Sequence, residues 1–168
     1  FKIWGNQDLK NQTWFLKNLI SGWMSKEING AADIMRWEIL YKYGGFALDA
    51  DSICLNPIED WLFQNNLFSA WENELARPGL IATGAIGSTK EHPFIKSVID
   101  DIINDKNIFD DRAWKKVGPL RLTNTYRNKG ENCMTIYPSH FFYPNHFTGK
   151  KYSGNGKVFA DQAWGSTK

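Results

Sequence analysis

Histidine, cysteine and charge of one sign are scarce in this chain. It carries three His and two Cys in 168 residues. Cys54 and Cys133 fit no zinc-module spacing, and two thiols do not make a disulfide scaffold. Both are expected to act as small buried hydrophobes. Twenty Lys and Arg against eighteen Asp and Glu leave a net charge of +2, which excludes the basic face of a general nucleic-acid binder. No apolar run reaches the ~18 residues of a membrane span, and no signal peptide, internal repeat or interdomain linker is visible. The length fits a single domain, 1–168, with a sizeable core. A cytoplasmic location is expected, or the Golgi lumen if an anchor preceded Phe1. Aromatics, by contrast, are plentiful: eight Trp and 15% of residues overall. Most belong in a core, and rings at a cleft rim suit stacking on sugars or a nucleobase.

Periodicity outlines an α/β chain. Phe1–Trp4 reads as a strand, Thr13–Ile20 as a helix, and Gly22–Gly30 as a connection. A helix from about Gly30 to Tyr43 places Ile34, Trp37, Leu40 and Tyr41 at three- and four-residue steps. Gly44-Gly45 ends it, since glycine takes the left-handed position after a helix without a Cβ clash. Phe46–Leu48 is a short strand, Ser52–Leu55 extended chain, and Ile58–Leu62 a short helix. Leu67–Trp71 and Leu80–Ile86 read as strands around a turn at Pro78-Gly79. Pro93–Asn104 is a strongly patterned helix. Helices around 110–116 and 120–128 and a strand at Cys133–Tyr137 follow. Alternating helices and strands predict helices flanking a mostly parallel sheet, with ligands bound beyond the strands' carboxyl ends.

That is where Asp49 and Asp51 fall. Alternation along a strand would turn both to one side, and two carboxylates held together need a cation or proton between them. Oxygen ligands suit Mg²⁺ or Mn²⁺. On the preceding helix, Asp33 and Arg36 share a face. They are either a surface ion pair or, facing a cleft, an acceptor and a donor for vicinal hydroxyls. A lone Asp-x-Asp is common by chance; after an apolar strand and before Ser-Ile-Cys-Leu it is more specific.

The uninterrupted run Ala32-Asp33-Ile34-Met35-Arg36-Trp37-Glu38-Ile39-Leu40-Tyr41-Lys42-Tyr43-Gly44-Gly45-Phe46-Ala47-Leu48-Asp49-Ala50-Asp51 resembles the signature of the DXD-containing sugar transferases. That family includes the yeast-type initiating mannosyltransferase, bacterial capsular polysaccharide transferases and the glucosylating domains of clostridial toxins. Ala85-Ile86-Gly87 with His92-Pro93-Phe94, Gly118-Pro119 with Leu122-Thr123, and Tyr137-Pro138 with Phe142-Tyr143-Pro144 are weaker echoes. The resemblance implies a GT-A-like fold and a retaining, metal-dependent transfer from a UDP- or GDP-sugar to a glycan or other hydroxyl acceptor. It also implies roles. Asp33 and Arg36 would hold the donor sugar, Asp49 would contact ribose and sugar, and Asp51 would ligate Mn²⁺ or Mg²⁺ on the diphosphate.

Three departures stand out. The family's opening strand, of the Ile-Pro-x-x-Ile-His-x-x-Trp type, and its helix do not precede Phe1. An Asn common just before Ala-Ile-Gly is Thr83. The late His-x-Trp-x-x-Ser-Trp run aligns loosely with Asp161–Lys168, which puts Gln162 at the metal-binding His, with Asp161 as a substitute ligand. Arg112, Lys115, Lys116, Arg121, Arg127 and Lys129 form one cationic cluster, read as a solvated face or an acceptor contact. His140 and His146 are read as structural or as substrate contacts. Two other classes compete. One is a haloacid-dehalogenase-like phosphatase with Asp49 as nucleophile; the other is a non-catalytic sugar-binding module.

Overall fold

The computed structural model describes residues 1–129 and 132–165. Among these residues six α-helices and seven strands follow in runs of helices and runs of strands: α1 Asn6–Asn11, α2 Lys17–Lys26, α3 Ile28–Tyr43, β1 Gly45–Leu48, β2 Ser52–Cys54, β3 Leu67–Asn73, β4 Arg77–Ile81, β5 Ala85–Ser88, α4 Pro93–Ile103, α5 Ala113–Lys116, α6 Pro119–Lys129, β6 Thr135–Tyr137 and β7 Ala160–Gln162. Single 3₁₀ turns cover Asp60–Gln64, two residues later than the expected helix, and Ser139–Phe141.

The mixed α/β class and flanking helices are as expected, and β1, β3, β4, β5 and β6 form the main sheet. β1 and β3 both run antiparallel to β5, and β6 runs parallel to β3, so β1, β3 and β6 share one direction. The expectation of a mostly parallel sheet therefore holds for strand direction but needs correction for pairing. Among the described residues only the β3–β6 contact is parallel, whereas β1–β5, β3–β5 and β3–β4 are antiparallel. The cause is local. The chain turns back after β3 over Glu74–Ala76, where Asn73 Oδ1 accepts from Leu75 and Ala76 N–H at 3.1 and 2.8 Å, and so tight a return admits only an antiparallel partner. The turn is there and not at Pro78-Gly79, which lie within β4. A separate ribbon pairs β2 with β7, antiparallel, Ser52 opposite Gln162.

Two further segments differ from expectation. Phe1–Trp4 forms no strand. Gly22–Gly30 is no connection: α2 runs through Gly22, and α3 starts at Ile28. Both glycines are contact points. A Cβ on Gly22 would stand 2.5 Å from the Phe109 ring, and one on Gly30 would stand 2.5 Å from the Trp23 ring. Burial of Trp23, Ile34, Trp37 and Leu40 between α2, α3 and α4 outweighs the helix-weakening effect of glycine. Glu38, also buried, ties these helices: its carboxylate accepts from Phe15 and Leu16 N–H at 2.8 and 3.1 Å, just ahead of α2. A second, aromatic cluster of Phe68, Tyr137, Phe142 and Phe159 fills the other side of the sheet. Cys54, expected to be buried, is exposed, because it lies on the two-stranded ribbon away from either cluster. Among the described residues no helix is long and apolar enough to cross a membrane.

Gly44 ends α3 as expected, at φ 68° with its N–H on Leu40 O at 2.8 Å, and Gly45 follows at φ 101°. The chain reverses there and enters β1.

Alanine ordinarily strengthens a helix relative to glycine by ~1 kcal/mol. At position 30 we expect the opposite sign. Gly30→Ala should lower the urea-unfolding free energy by about 1–3 kcal/mol through overpacking against the fully buried Trp23.

Candidate active site

The α3–β1 corner brings the predicted residues together. Arg36, on α3, forms an ion pair with Asp49 Oδ1, just beyond β1. Its side chain is only 12% exposed. Burial works against its charge, but Asp49 and Asp33 outweigh it and raise the guanidinium's pKa. Asp33 lies beside it, with Thr83 Oγ donating to Oδ1 at 3.5 Å. Burial pushes the Asp33 carboxyl up to about 7, with Arg36 opposing the rise and Asp49 adding to it. Asp33 and Arg36 thus face a cleft, not solvent as a surface pair.

Asp49 and Asp51 also converge, for a different reason than strand alternation. The strand stops at Leu48. Ser52 N–H then donates to Asp49 O at 3.0 Å, closing a tight turn that carries both acids. Asp49 N–H holds the turn to Gly84 O at 2.9 Å. Leu80–Ile86, expected as one strand, is broken at residues 82–84, and this break is what meets the acids. Gly84 is required at that approach, since a Cβ there would stand 2.6 Å from Asp49 Oδ2. Gly118, ahead of α6, is equally close to Asp33: its Cβ would stand 2.6 Å from Oδ2.

Gln162 reaches Asp51 and Asp49 from 111 and 113 residues away, because β2–β7 pairing sets it opposite Ser52. Its Nε2 donates to Asp51 Oδ1 at 2.5 Å and to Asp49 Oδ2 at 3.3 Å. The carbonyl, the atom expected to ligate metal, instead accepts from Ser52 Oγ at 2.7 Å. Asp161 points the other way along β7 and accepts from Asn145 Nδ2 at 2.7 Å, so it does not replace Gln162. Gly165 N–H donates to Asp51 Oδ2 at 2.9 Å; the rest of the late run, residues 166–168, lies outside the described residues. Among the described residues no three His, Cys, Asp or Glu side chains gather as a metal cluster. Asp49 Oδ2 and Asp51 Oδ1 nevertheless meet at one point, now occupied by an amide N–H donor, which fits a hard cation held by two carboxylates.

All five residues line a cleft of about 740 Å³. The cleft also contains Tyr143, which sequence reasoning placed only within an aromatic echo. Burial first, then Asp49, raise its phenol well above its usual pKa. Tyr143 Oη and Arg36 Nε are buried with no hydrogen-bond partner. The cationic cluster is mostly neutralised. Arg112 pairs with Glu27, Lys115 with Asp111, and Lys116 and Arg121 with Asp105. Arg127 donates to Gly79 O at 3.0 Å. His140 stacks on Tyr152, and buried His146 bonds Thr148 and Glu72, both within the scaffold.

Residues 5–68 match the family model described as the glycosyltransferase sugar-binding region containing the DXD motif. That segment is similar to the DXD-containing glycosyltransferases. The chain is 29% identical over 107 residues to inositol phosphoceramide mannosyltransferase 3 of Schizosaccharomyces pombe, an alignment covering 61% of this chain and 28% of the yeast protein. It thus spans little more than a quarter of that curated relative. The solved structure titled PaToxG Glycosyltransferase matches with a TM-score of 0.56 at 18% identity, over 71% of this chain and 45% of the other, and so shares its fold. The matched family segment includes Asp33, Arg36, Asp49 and Asp51, whereas Thr83, Tyr143 and Gln162 lie beyond it.

Asp33 also makes a prediction about pH. A carboxyl whose folded pKa is raised to about 7 from 3.8 binds more protons folded than unfolded between those values. The stability this one group contributes is therefore fully present below pH 4 and is lost as pH rises towards 7. Asp33→Asn should abolish this loss, so the Tm difference in favour of the variant should widen from pH 4 to pH 7 and stay constant above. A difference independent of pH in thermal melts would contradict this origin.

Proposed function

We propose that this chain is the donor-binding part of a metal-dependent, retaining glycosyltransferase that uses a UDP- or GDP-sugar. The observation that carries the reading is the convergence of the Asp33/Arg36 pair and the Asp49/Asp51 turn on one cleft. Asp33 accepts from, and Arg36 donates to, hydroxyls of the donor sugar. Asp49, fixed by Arg36, contacts ribose and sugar. Asp51, together with Asp49, holds Mn²⁺ or Mg²⁺ against the diphosphate, with Gln162 turning its carbonyl inward as a neutral ligand. The lining favours such a cation: five carboxylates (Glu27, Asp33, Asp49, Asp51, Glu72) face three guanidiniums (Arg36, Arg77, Arg112), a balance that repels a bare diphosphate.

In the transfer, the sugar C1–O bond to the diphosphate breaks and a bond from C1 to the acceptor oxygen forms on the same face. The acceptor's proton passes to the leaving phosphate oxygen. A cation held by Asp49 and Asp51 would supply Lewis-acid neutralisation of the negative charge on that diphosphate. The residues of the chain itself orient the sugar, and Arg36 holds the Asp49 carboxylate in place. Thr83 in place of the family's Asn touches Asp33, so its short side chain helps shape the pocket around the sugar.

Calorimetry with UDP-, GDP- and dTDP-sugars is expected to show binding by a UDP- or GDP-sugar with Mn²⁺ and at least a ten-fold loss on chelation. Asp51→Asn should reproduce that loss. Gln162→Ala should weaken Mn²⁺ several-fold, and an unchanged affinity would remove Gln162 from the site. Donor binding without transfer or hydrolysis would favour the non-catalytic module. No binding by the folded chain would defeat the transferase reading.

A further inference from the structure

A second acid–guanidinium pair lines the same cleft, and none of the roles above uses it. Glu72, near the end of β3, meets Arg77, which opens β4, at 3.3 Å. The carboxylate is buried, with its side chain 7% exposed, whereas the guanidinium is 34% exposed and open to the cleft. An ordinary hairpin ion pair is mobile and solvated. This one is braced on several sides. The rings of Trp114 and Phe147 flank the Arg77 guanidinium at 5.2 and 5.1 Å, and Glu72 Oε1 lies 3.3 Å from His146 Nε2. The hydroxyl of Tyr143 is buried with no acceptor for its proton, Ala85 N–H approaching only its oxygen. Its oxygen and Asp49 Oδ2 crowd the same point at Gly84, and Asp49, Arg36 and Glu72 all act on it electrostatically. A buried polar atom without a partner calls for a ligand or a reason, and a ligand bridging the two pairs supplies one.

We propose that Glu72, Arg77 and Tyr143 form a second sugar subsite, which holds a neutral pyranose of the acceptor. The acceptor assignment rests on the donor reading above; the sugar site itself does not. A rigid guanidinium donates to one hydroxyl while the carboxylate beside it accepts from the neighbouring one, the same recognition that Arg36 and Asp33 offer. An acidic glycan or a phosphate is disfavoured, because Glu72 already neutralises Arg77 and carboxylates outnumber guanidiniums along the cleft. Tyr143, between the pairs, donates its hydroxyl to the sugar oxygen nearest the transfer.

The folded chain would be titrated with the methyl glycosides of mannose, glucose and galactose, and with glucose 6-phosphate, following tryptophan fluorescence and ligand-observed NMR. One neutral glycoside should bind. Its affinity should fall at least ten-fold in the double variant Glu72→Gln/Arg77→Met, which removes both charges so that neither remains buried alone. It should fall at least three-fold in Tyr143→Phe, which deletes only the hydroxyl. Where transfer is measurable, the ratio of transfer to donor hydrolysis should fall ten-fold in the double variant. Equal glycoside affinity in wild type and variants, or binding of glucose 6-phosphate alone, overturns the subsite. Nucleotide-sugar binding with no glycoside binding also overturns it while leaving the donor reading intact. Arg77-dependent glycoside binding with no nucleotide-sugar binding does the reverse: the sugar subsite stands and the donor reading falls.

Discussion

A guanidinium enclosed at the α3–β1 corner must find carboxylates, because a charge removed from water without a partner costs several kcal/mol. Arg36 finds Asp49, with Asp33 beside it. This requirement ties the second half of a helix to the first residue after a strand, and much of the neighbouring architecture serves it. Gly44 and Gly45 reverse the chain within two residues at positive φ. β5 lies along β1 and delivers Gly84 against Asp49. Gly118 lets the chain ahead of α6 approach Asp33. In each place the absence of a side chain makes room for an acid.

The fold bears a cost at this corner. Asp33 is held where its charge is disfavoured, and Tyr143 Oη and Arg36 Nε lack partners inside the protein. A chain selected for stability alone would have replaced such groups with apolar ones. Two of the buried polar atoms without partners lie in this cleft, as expected where the partner is a ligand. The amide of Gln162 between Asp49 and Asp51 relieves part of this frustration, placing a weak positive dipole where a cation fits.

What could be read from the sequence depended on the range of the interaction that decided it. α3, its glycine stop, β1 and α4 were legible, since periodicity and caps are local. Gly22 and Gly30 misled for the same reason: glycine marks a chain break locally, but here distant rings, Phe109 and Trp23, decide. The break at residues 82–84 was hidden because its cause, the turn at Asp49, is more than thirty residues away. The meeting of Asp49 and Asp51 was anticipated from strand alternation, yet a hydrogen-bonded turn achieves it. Arg36 and Asp49 were legible as parts of one continuous motif, but their ion pair was not, since half a helix, a glycine turn and a short strand separate them. Glu72, Arg77 and Tyr143 left no local signal. An acid, a base and a phenol in loops and strand ends become a group only once β3, β4 and the 141–147 segment are packed together.

The β2–β7 ribbon has a consequence for the order in which the protein matures. Ser52 is synthesised directly after the acids, but its partner strand arrives 110 residues later. Closing a loop of that length is an entropic cost that local helix formation does not face. During synthesis the helices and the Arg36–Asp49 corner can assemble while Asp51 still has neither Gln162 nor Gly165 to restrain it. Nucleotide-sugar competence, on the reading proposed above, would thus appear as a late event, gained when the last strand docks and not when the core collapses.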